Sequence, residues 1–510
     1  MSKISVIIPV TIIAYLIMMV VIGIIFSKKN KNVSDFYLGG RKLGPLVAAM
    51  SAEASDMSSW LLMGLPGVAF LTGGAEAGWT AIGLAIGTYL NWLFVAKRLR
   101  VYSQKVGAIT VPDFFSRRYH DKSNILMGIS ALIILIFFVP YTASGFSACG
   151  KLFNTLFGIE YHTAMIISAV VIITYTCSGG FLAASFTDLI QSIVMTSALI
   201  SIIIFGISKA GGMDAVMDNA RSMDGYLSLS SIYNTVTGGA DKYTLLTICS
   251  TLAWGLGYFG MPHIILRFMA IEDKDKVKTS RRIASVWVVI SMAVAIFIGF
   301  IGNYLAKQNI VKDIEDSETI IIKIALFMSD HGFILAVIAG LVFAGILACT
   351  MSTSDSQLLA ASSSMSENIL KGVFKIKMSE KQSMISARAV LVVIAVLGVI
   401  LAWDQNSSVF RVVSFAWAGF GATFGPVMLA ALFWKRSNKY GAMAGMIAGG
   451  IMVFAWKFGI AKLGGVFAIY ELLPAFVTAF IAIIAVSLFT SEPEKEVTED
   501  FDKVITEMNK

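Results

Sequence analysis

The amino-acid sequence predicts an all-α polytopic membrane protein with about thirteen transmembrane helices, two of which are interrupted. The first observation is composition: the 510 residues are 57% hydrophobic and 14% charged, with a mean hydropathy of +0.78, whereas soluble domains contain about 25% charged residues. The second is that apolar segments of about 20 residues, the length that crosses a bilayer, recur along almost the whole chain. The third is that glycine, proline and polar residues interrupt two of these segments.

Each apolar segment is predicted to form one membrane-spanning helix. The segments are residues 5–27, 45–72, 77–96, 124–148, 162–178, 187–208, 245–264, 283–305, 330–358, 387–403, 407–434, 440–459 and 465–489. The first segment is too long for a signal-peptide core and lacks a small-residue cleavage site, which predicts a retained helix. We therefore predict a single transmembrane domain over residues 1–490, followed by a short, acidic, solvated tail over residues 491–510.

Cysteine, histidine and charge content argue against several other classes of protein. The four cysteines are Cys149, Cys177, Cys249 and Cys349. All lie within or at the ends of apolar segments, which favours small buried residues over disulfides or a metal site. The four histidines show no metal-ligand spacing. The net charge of +8 resides in loops and does not indicate a nucleic-acid partner, and the tail is too short for a kinase or another effector domain.

The basic residues concentrate in alternate loops, which predicts the orientation of the chain. Loops rich in Lys and Arg lie at residues 28–42, 97–122, 267–282, 371–388 and 435–439. With thirteen crossings, all of these loops lie on one side, which is cytoplasmic by the positive-inside rule. We therefore expect a multi-pass protein of the cell membrane with its N-terminus outside and its C-terminus in the cytoplasm.

Two segments contain breaks at corresponding positions. The second contains SAEASDMSSWLLMGLPG (51–67), and the seventh contains WGLGYFGMPH (254–263). Glycine costs a helix about 1 kcal/mol relative to alanine and proline about 3 kcal/mol, so such breaks persist at membrane depth where the freed backbone groups line an enclosed cavity. The two segments are five apart and cross in opposite directions, which favours the central site of a transporter built from two inverted units. The alternative is a pair of simple kinks.

A third polar run, ACTMSTSDSQ (348–357), lies in the ninth segment. Four of its residues share one face of a helix: Cys349, Ser352, Thr353 and Ser356. Their hydroxyl and carbonyl oxygens suit an alkali cation, although such hydroxyls also bond to carbonyls one turn earlier. Asp56, a carboxylate at mid-membrane, is interpreted as part of a cation site, with a cap on a broken helix end as the alternative.

Four further residues are candidates for the same site. Asp188 stands near the inner end of the sixth segment, where an interfacial position and a place on an ion path are both open. Trp254 and Tyr258, one turn apart on a helix, combine an apolar ring face with a polar group, as Tyr141 does. Such side chains suit a small amphipathic solute, and ordinary aromatic packing is the alternative.

Five motifs together resemble a known family. LGGRKLGP (38–45), ASDMSSWLLMGLPG (54–67), WGLGYFGMPH (254–263), MSTSDSQLL (351–359) and SFAWAGFGATFGP (414–426) are similar, in the same order, to motifs of the sodium:solute symporter family. The resemblance runs from the first segment to the thirteenth and is greatest to bacterial sodium/proline symporters. It implies a LeuT-type fold, an inverted five-plus-five repeat with flanking helices, with core repeats over residues 45–208 and 245–434.

The resemblance also implies roles for individual residues. Sodium is implied to bind the backbone carbonyls of Ala54, Met57 and Cys349 and the hydroxyls of Ser352 and Thr353. Asp56 and Asp188 match acidic positions tied to sodium binding or its path. The positions that match residues associated with proline are Ser58, Tyr141, Trp254, Tyr258 and Pro262. Arg41 matches a cytoplasm-side arginine linked to coupling.

The chain departs from the proline symporters at several of these positions. They typically contain SAGASDMSGW, and Glu53 and Ser59 replace the two glycines. Cys349 replaces a common alanine, and Met261 replaces a common glutamine beside Pro262. Ser59 lies where the solute is expected to pack, so it counts against proline itself. Glu53 introduces a proton, or a local salt bridge, as an alternative element of the transport cycle.

We therefore expect sodium-coupled uptake of a small amino acid, with L-proline as the first choice, by alternating access. No enzymatic chemistry and no cofactor are expected, and the partners are the solute, sodium and the lipid bilayer, without nucleic acid or an obligate protein partner. The alternatives are sodium- or proton-coupled symport of another small amino acid or carboxylate, and a transporter-like membrane sensor. A channel is disfavoured because opposed broken helices with an aromatic pair suit alternating access better.

Overall fold

The computed structural model describes residues 3–27 and 33–508, without the side chains of residues 3–5, 26, 27, 33, 175, 177–179 and 380. Its α-helices are α1 Lys3–Ser27, α2 Val33–Leu38, α3 Pro45–Asp56, α4 Leu65–Thr72, α5 Gly74–Leu90, α6 Lys97–Lys105, α7 Val111–Arg118, α8 Ile125–Phe157, α9 Tyr161–Lys209, α10 Met213–Arg221, α11 Leu245–Leu252, α12 Pro262–Ala270, α13 Val277–Lys307, α14 Ile320–Ser329, α15 Phe333–Ser363, α16 Glu380–Leu401, α17 Val409–Phe433, α18 Lys439–Phe458, α19 Leu472–Phe489 and α20 Lys495–Met508. Two antiparallel strands, β1 Ser231–Tyr233 and β2 Ala240–Lys242, form a hairpin before α11.

Ten of the described helices are long and apolar enough to cross a membrane. Three shorter apolar helical segments, Trp60–Thr72, Tyr161–Thr174 and Leu245–Phe259, accompany them. All thirteen predicted segments overlap helical residues of the structure, which confirms an all-α polytopic fold. The number of crossings and the inverted repeat stay predictions.

The fifth and sixth predicted segments both lie within α9, on either side of a kink at Gly180. Within α9, Gly180 has a φ of 67° and a ψ of −177°. A positive φ is readily adopted by glycine, which has no Cβ to clash with the backbone. Gly180 therefore divides α9 into an earlier and a later half, and Asp188 lies in the later half.

Both predicted breaks are present. After α3 the chain leaves helical geometry at Met57, with a φ of −78° and a ψ of 72°, and then continues through a π-helical turn, Trp60–Gly64, into α4. After α11 it passes through a 3-10 segment, Ala253–Phe259, and leaves helical geometry again at Met261 before α12. The backbone carbonyls and amides near these two points are thus freed from regular helical hydrogen bonds.

Glycines bring α5 into direct backbone contact with the second break. A Cβ atom on Gly87 would lie 2.3 Å from the carbonyl oxygen of Gly255, and one on Gly255 would lie 2.2 Å from the carbonyl oxygen of Gly83. Any side chain at these positions would push the two elements apart. The polar residues at the end of α5 consequently lie beside the interrupted 3-10 segment.

The C-terminal helix α20 packs against the rest of the protein. Its buried apolar residues are Val497, Phe501 and Val504. The guanidinium carbons of Arg98 and Arg118 lie 5.6 and 5.3 Å from the centre of the Phe501 ring, within the range of a cation–π interaction. The spacing of the apolar residues thus gives residues 495–508 one buried face, whereas the other residues of this helix are exposed or half-buried.

The hairpin and α20 mark two sides of the protein. β1 packs near α4 and α5, whereas α20 packs on α6, and α5 and α6 belong to one long helical stretch, Gly74–Lys105. We call these the hairpin side and the α20 side. Residues 28–32 of the first basic loop, and the terminal residues 1, 2, 509 and 510, lie outside the described part of the chain.

The cysteines only partly match their prediction. Cys149 and Cys349 are buried, as predicted, whereas Cys249 is exposed. Cys249 follows the exposed Leu245 by one turn of α11, so the prediction was wrong because this face of the short helix points away from the protein. The side chain of Cys177 lies outside the described residues.

Candidate functional site

The end of α3 brings backbone oxygens to the middle of the protein. Asp56 is the last residue of this helix, the Met57 amide still bonds to the Glu53 carbonyl at 2.8 Å, and the Ser58 amide turns back to the Asp56 carbonyl at 2.8 Å. Residues 48–65 are all buried, and Val47 before them is half-buried. This short turn therefore exposes carbonyl groups to side chains of other helices and not to water.

Helix α15 supplies a hydroxyl to these carbonyls. The Ser352 Oγ donates to the Ala54 carbonyl at 2.7 Å and lies 3.1 Å from the Cys349 carbonyl, which it can also approach as a donor. Thr353 is buried, and its Oγ1 has no hydrogen-bond partner. The structure thus brings together three of the residues predicted as sodium ligands, Ala54, Cys349 and Ser352. Hydroxyl and carbonyl oxygens are the ligands that hard cations prefer.

Asp56 connects the break in α3 to two other elements. Its Oδ2 accepts a hydrogen bond from the Tyr258 hydroxyl at 2.7 Å. Its backbone carbonyl accepts from the Tyr141 hydroxyl at 3.2 Å and from the Trp60 indole nitrogen at 3.0 Å. The Oδ1 atom has no hydrogen-bond partner and is buried. Asp56 therefore ties α3 to α8 and to the 3-10 segment, and one of its oxygens is free to contact another group.

Asp188 has a charged partner that the sequence did not indicate. The carboxylate is fully buried in α9, accepts a hydrogen bond from the Ser51 hydroxyl at 2.6 Å, and lies 3.2 Å from a guanidinium nitrogen of Arg267. Arg267, in α12, also donates to Ser356 of the predicted hydroxyl face. Asp188 is thus shielded from water, and a buried arginine provides the polar environment that its carboxylate requires.

Arg267 and Asp355 are buried charged residues that sequence reasoning missed. The available signal was a lone arginine inside the apolar stretch PHIILRFMA (262–270) and an aspartate inside the polar run of α15. Asp355 is 1% exposed, and its Oδ1 pairs with the Ser356 hydroxyl at 3.2 Å. Neither residue could be assigned a partner without knowing which helices pack together.

The predicted solute-binding residues lie around the same break. Ser58 and Ser59 directly follow it and are buried, and the Ser59 hydroxyl has no hydrogen-bond partner. Tyr141 and Tyr258 both bond to Asp56, as described above. Pro262 is the first residue of α12. Of these residues, Tyr141 and Tyr258 are linked to each other through Asp56, to which both hydroxyls donate a hydrogen bond.

Trp254 lies in an aromatic layer between this region and a cavity on the hairpin side. Its ring centre is 5.3 Å from the rings of Phe410 and Tyr470 and 6.3 Å from that of Trp60. The cavity has a volume of about 470 Å³, and its lining includes Trp254, Phe410 and Tyr470 together with several charged residues. The aromatic layer separates this water-accessible space from the break in α3.

Arg41 joins three segments on the α20 side. Its guanidinium donates to the Ser103 hydroxyl at 2.9 Å, to the Met269 carbonyl at 2.6 Å, and to the Ala108 carbonyl. Burial, followed by the nearby charge of Arg100, lowers the pKa of Arg41 to about 10, so the side chain remains charged at neutral pH. Arg41 thus holds the ends of α6 and α12 beside the segment that precedes α3.

A polytopic helical protein with two interrupted helices around buried hydroxyl and carboxylate groups has the construction of a secondary transporter. The sequence profile of the sodium:solute symporter family matches residues 36–449. The chain belongs to this family, as its motifs had indicated.

Relatives match over nearly their full length. The chain is 41% identical over 485 residues to the high-affinity proline transporter PutP of Bacillus subtilis, covering 95% of this chain and 98% of that protein. It is 42% identical over 501 residues to a sodium/proline symporter of Haemophilus influenzae, covering 97% of each chain.

Two solved structures share the fold. A Na⁺-coupled sialic acid symporter in a substrate-bound, outward-open state matches with a TM-score of 0.76 and 20% identity, covering 96% of this chain and 99% of that one. Mhp1, a nucleobase-cation-symport-1 family transporter in a closed conformation, matches with a TM-score of 0.56 and 15% identity, covering 92% and 99%. These matches confirm the predicted LeuT-type fold class.

Family membership and fold together define the general activity. The chain is a multi-pass membrane transporter that uses sodium as its coupling ion, and it is not an enzyme. The predictions of a membrane transporter, of sodium as the coupling ion and of a protein that is not an enzyme are therefore confirmed.

Proposed function

We propose that this protein takes up L-proline together with sodium. The observation that carries the proposal is that relatives described as proline transporters match 95% and 97% of the chain at 41% and 42% identity. The geometry of the break in α3 supports it, because backbone carbonyls and hydroxyls meet there beside a buried carboxylate. This combination suits a cation and a small zwitterion bound close together.

The proposed sodium site lies between α3 and α15. Its ligands are the carbonyls of Ala54, Met57 and Cys349 and the hydroxyls of Ser352 and Thr353. The proposal is supported by the 2.7 Å contact between the Ser352 hydroxyl and the Ala54 carbonyl and by the unpartnered hydroxyl of Thr353. A sodium ion in this position joins α15 to the broken end of α3, and Asp56 strengthens the local negative field.

The proposed solute site lies beside the sodium site, on the far side of the α3 break. Its residues are Ser58, Ser59, Tyr141, Trp254, Tyr258 and Pro262. The hydroxyls suit the charged groups of an amino acid and the rings suit its apolar part. Ser59 adds a hydroxymethyl group to this pocket relative to glycine, and overpacking of this kind typically costs about 1–3 kcal/mol. It adjusts proline recognition without abolishing it.

The proposed transport cycle uses sodium to select one conformation. Sodium binds from outside and stabilises the outward-open state, the solute binds between the two interrupted segments, the outer side closes, and both are released inward. One positive charge gains about 2.3 kcal/mol per 100 mV, and a tenfold sodium gradient adds about 1.4 kcal/mol. Asp188 and its arginine partner form a proposed part of the ion path, and Arg41 a proposed coupling contact on the inner side.

We further propose that the α20 side is cytoplasmic and the hairpin side is outside, with the N-terminus outside. The support is the set of basic side chains around α20. Lys435 pairs with Asp502 at 2.6 Å, and Lys274 donates to the Glu507 carbonyl at 2.6 Å. Basic loops concentrate on the cytoplasmic side of membrane proteins. The transmembrane domain is proposed to cover residues 1–490, with core repeats over 45–208 and 245–434.

The deciding experiment is uptake of labelled proline by the purified protein in liposomes. We expect uptake with an inward sodium gradient, none when choline replaces sodium, and none when a proton gradient replaces it. Other amino acids are tested as competitors in excess. Sodium-driven uptake of another amino acid, unaffected by excess proline, would overturn the assignment of the solute.

The variant Ser59→Gly sharpens this experiment. Because it removes the hydroxymethyl group from the proposed pocket, it is expected to improve the affinity for proline or leave it unchanged, with sodium dependence retained. A large loss of proline affinity in this variant would show that the Ser59 hydroxyl recognises a different, more polar solute.

A further inference from the structure

Glu53 is a buried carboxylate that the proposed sodium and solute sites leave without a role. It lies on α3 and is 1% exposed. Its Oε1 accepts one hydrogen bond, from the Trp92 indole nitrogen at 3.0 Å, and its Oε2 is buried without a hydrogen-bond partner. A carboxylate in such a position is unfavourable unless a positive charge accompanies it.

Asp56 doubles the negative charge at this point. It follows Glu53 by three residues, so the two carboxylates lie on the same side of α3. Each has one oxygen that accepts a hydrogen bond and one that is buried without a partner, Oε2 and Oδ1 respectively. In the part of the chain that the structure describes, no lysine, arginine or histidine forms an ion pair with either carboxylate, whereas Asp188 has Arg267.

The end of α5 and the residues that follow it lie near these carboxylates, through Trp92 and Tyr258, and carry two more unpartnered oxygens. Thr88 and Asn91 are each 1% exposed, and Thr88 Oγ1 and Asn91 Oδ1 have no hydrogen-bond partner. The Asn91 amide donates to the Tyr258 carbonyl at 2.9 Å. The Thr88 hydroxyl lies beside the Tyr258 hydroxyl, which itself contacts Asp56. The glycine contacts between α5 and the 3-10 segment hold this arrangement together.

Four buried oxygens without partners, two on α3 and two at or just after the end of α5, are of the kind that a hard cation binds. The atoms are Glu53 Oε2, Asp56 Oδ1, Thr88 Oγ1 and Asn91 Oδ1. Carboxylate, hydroxyl and amide oxygens suit alkali and alkaline-earth ions and not soft metals. When both carboxyl groups are ionised, one sodium ion at the Ala54 and Ser352 site leaves one negative charge without a counter-ion, and a second sodium ion neutralises it.

We propose that Glu53, Asp56, Thr88 and Asn91 bind a second sodium ion, so that two sodium ions move with each solute molecule. The inference rests on the proposed sodium-coupled uptake of proline and assigns its stoichiometry. The first ion binds on the α15 side of α3 and the second on the α5 side. Both ions contact the broken helix, which couples them to the same conformational change.

Static accumulation at zero membrane potential tests the stoichiometry. Proteoliposomes with equal potassium on both sides and a potassium ionophore receive a tenfold inward sodium gradient, and internal and external proline are measured at steady state. Because the solute gradient equals the sodium gradient raised to the number of coupled ions, two ions give about 100-fold accumulation and one gives about tenfold. We expect about 100-fold for the unaltered protein.

Variants assign the second ion to its ligands. Glu53→Gln keeps the shape of the side chain and removes its charge, and Thr88→Val removes the hydroxyl; both are expected to reduce accumulation toward tenfold. Thr80→Val is the matched control, because the Thr80 hydroxyl is also buried and unpartnered on α5, two turns earlier. Its accumulation is expected to equal that of the unaltered protein.

Three outcomes would overturn the proposal. One is tenfold accumulation by the unaltered protein, another is no difference between Glu53→Gln and Thr80→Val, and the third is accumulation driven by a proton gradient without sodium. Should Glu53→Gln fail to fold, radioactive sodium bound by the purified, unaltered protein decides: two ions per chain support the proposal and one overturns it. This binding count requires no transport, so it stands even if proline uptake is absent, whereas sodium-driven uptake with one ion contradicts only the second site.

Discussion

The hydroxyl of Ser352 connects α15 to α3 through a single hydrogen bond. It reaches the Ala54 carbonyl, which is free for this contact because α3 ends two residues later. The hydroxyl of Ser363, the last residue of α15, behaves differently: it donates to the Ala360 carbonyl within its own helix, as is common in membrane helices. The Ser352 hydroxyl therefore links α15 to α3, whereas the Ser363 hydroxyl bonds only within its own helix.

We expect Ser352→Ala to raise the sodium concentration for half-maximal uptake by about tenfold, equivalent to about 1.4 kcal/mol. The reason is the loss of one oxygen ligand from the proposed sodium site, with little loss of packing. Uptake measured against sodium concentration checks this. Ser363→Ala, on the same helix, serves as the control and is expected to have no effect; equal sodium dependence in both variants would remove Ser352 from the ion site.

The buried pair of Asp188 and Arg267 is expected to stabilise the folded protein as well as to form part of the proposed ion path. We expect Asp188→Ala to lower the free energy of unfolding by about 3–5 kcal/mol, because it removes the carboxylate that pairs directly with the buried Arg267. Thermal unfolding of the purified protein in detergent measures the effect. Removing the exposed partner of Lys435 with Asp502→Ala is expected to cost about 0–1 kcal/mol.

The double variant Asp188→Leu with Arg267→Met separates the two roles. It removes both charges and is expected to recover most of the stability lost in Asp188→Ala. If the double variant is as unstable as the single one, packing and not charge accounts for the loss.

At the scale of elements, α20 shows how a charged helix can be held against the rest of the protein. Its acidic residues Asp500 and Asp502 contact His120 and Lys435 in the loops. Its buried residue Phe501 lies against the guanidinium groups of two arginines. His120 lies 3.2 Å from Asp500 and 3.4 Å from Glu496. Because α20 touches α6, which carries one of the Arg41 contacts, its attachment supports the ends of the helices on that side.

We expect Phe501→Ala to lower the free energy of unfolding by about 3 kcal/mol, as for other buried aromatic residues. The ring is 5% exposed, and two arginines lie over it. Lys503→Ala, on the exposed face of the same helix, is the control and is expected to change little. Protease cleavage near residue 495 provides a second measurement, with faster cleavage in Phe501→Ala; equal stability and cleavage in both variants would mean that α20 is not held by its apolar face.

At the scale of the whole molecule, the two sides differ in what they present. The hairpin side carries the cavity that ends at Trp254 and Phe410. The α20 side carries Arg41 and the basic loops. Helices α3, α9 and α15 connect the two sides through the buried polar residues between them.

The proposed orientation predicts which side each loop occupies. In a protein whose cysteines are replaced by serine, Val236→Cys in the hairpin is expected to react with a membrane-impermeant maleimide on intact cells, since Val236 is 92% exposed. Glu499→Cys in α20 is expected to react only after the cells are permeabilised. The reverse pattern would invert the topology.

The amino-acid sequence by itself determined the class of protein and the positions of its breaks. Long apolar segments leave a chain few options in a membrane, where every backbone polar group must find a partner within a helix. Glycine and proline then specify where the helices are interrupted, and the interruptions at Met57 and Met261 occur within the predicted motifs. These are local properties, and a single sequence is sufficient to read them.

Only the tertiary structure decided which buried charges have partners and which have none. Arg267 pairs with Asp188, 79 residues away, and Trp92 donates to Glu53, 39 residues away. Such contacts depend on how helices pack, and the packing of α5 on the 3-10 segment depends in turn on glycines that have no periodic signal of their own. The burial of Phe501 was missed for the same reason: a short amphipathic helix in an acidic tail has a surface to cover it only once the loops above the membrane have assembled.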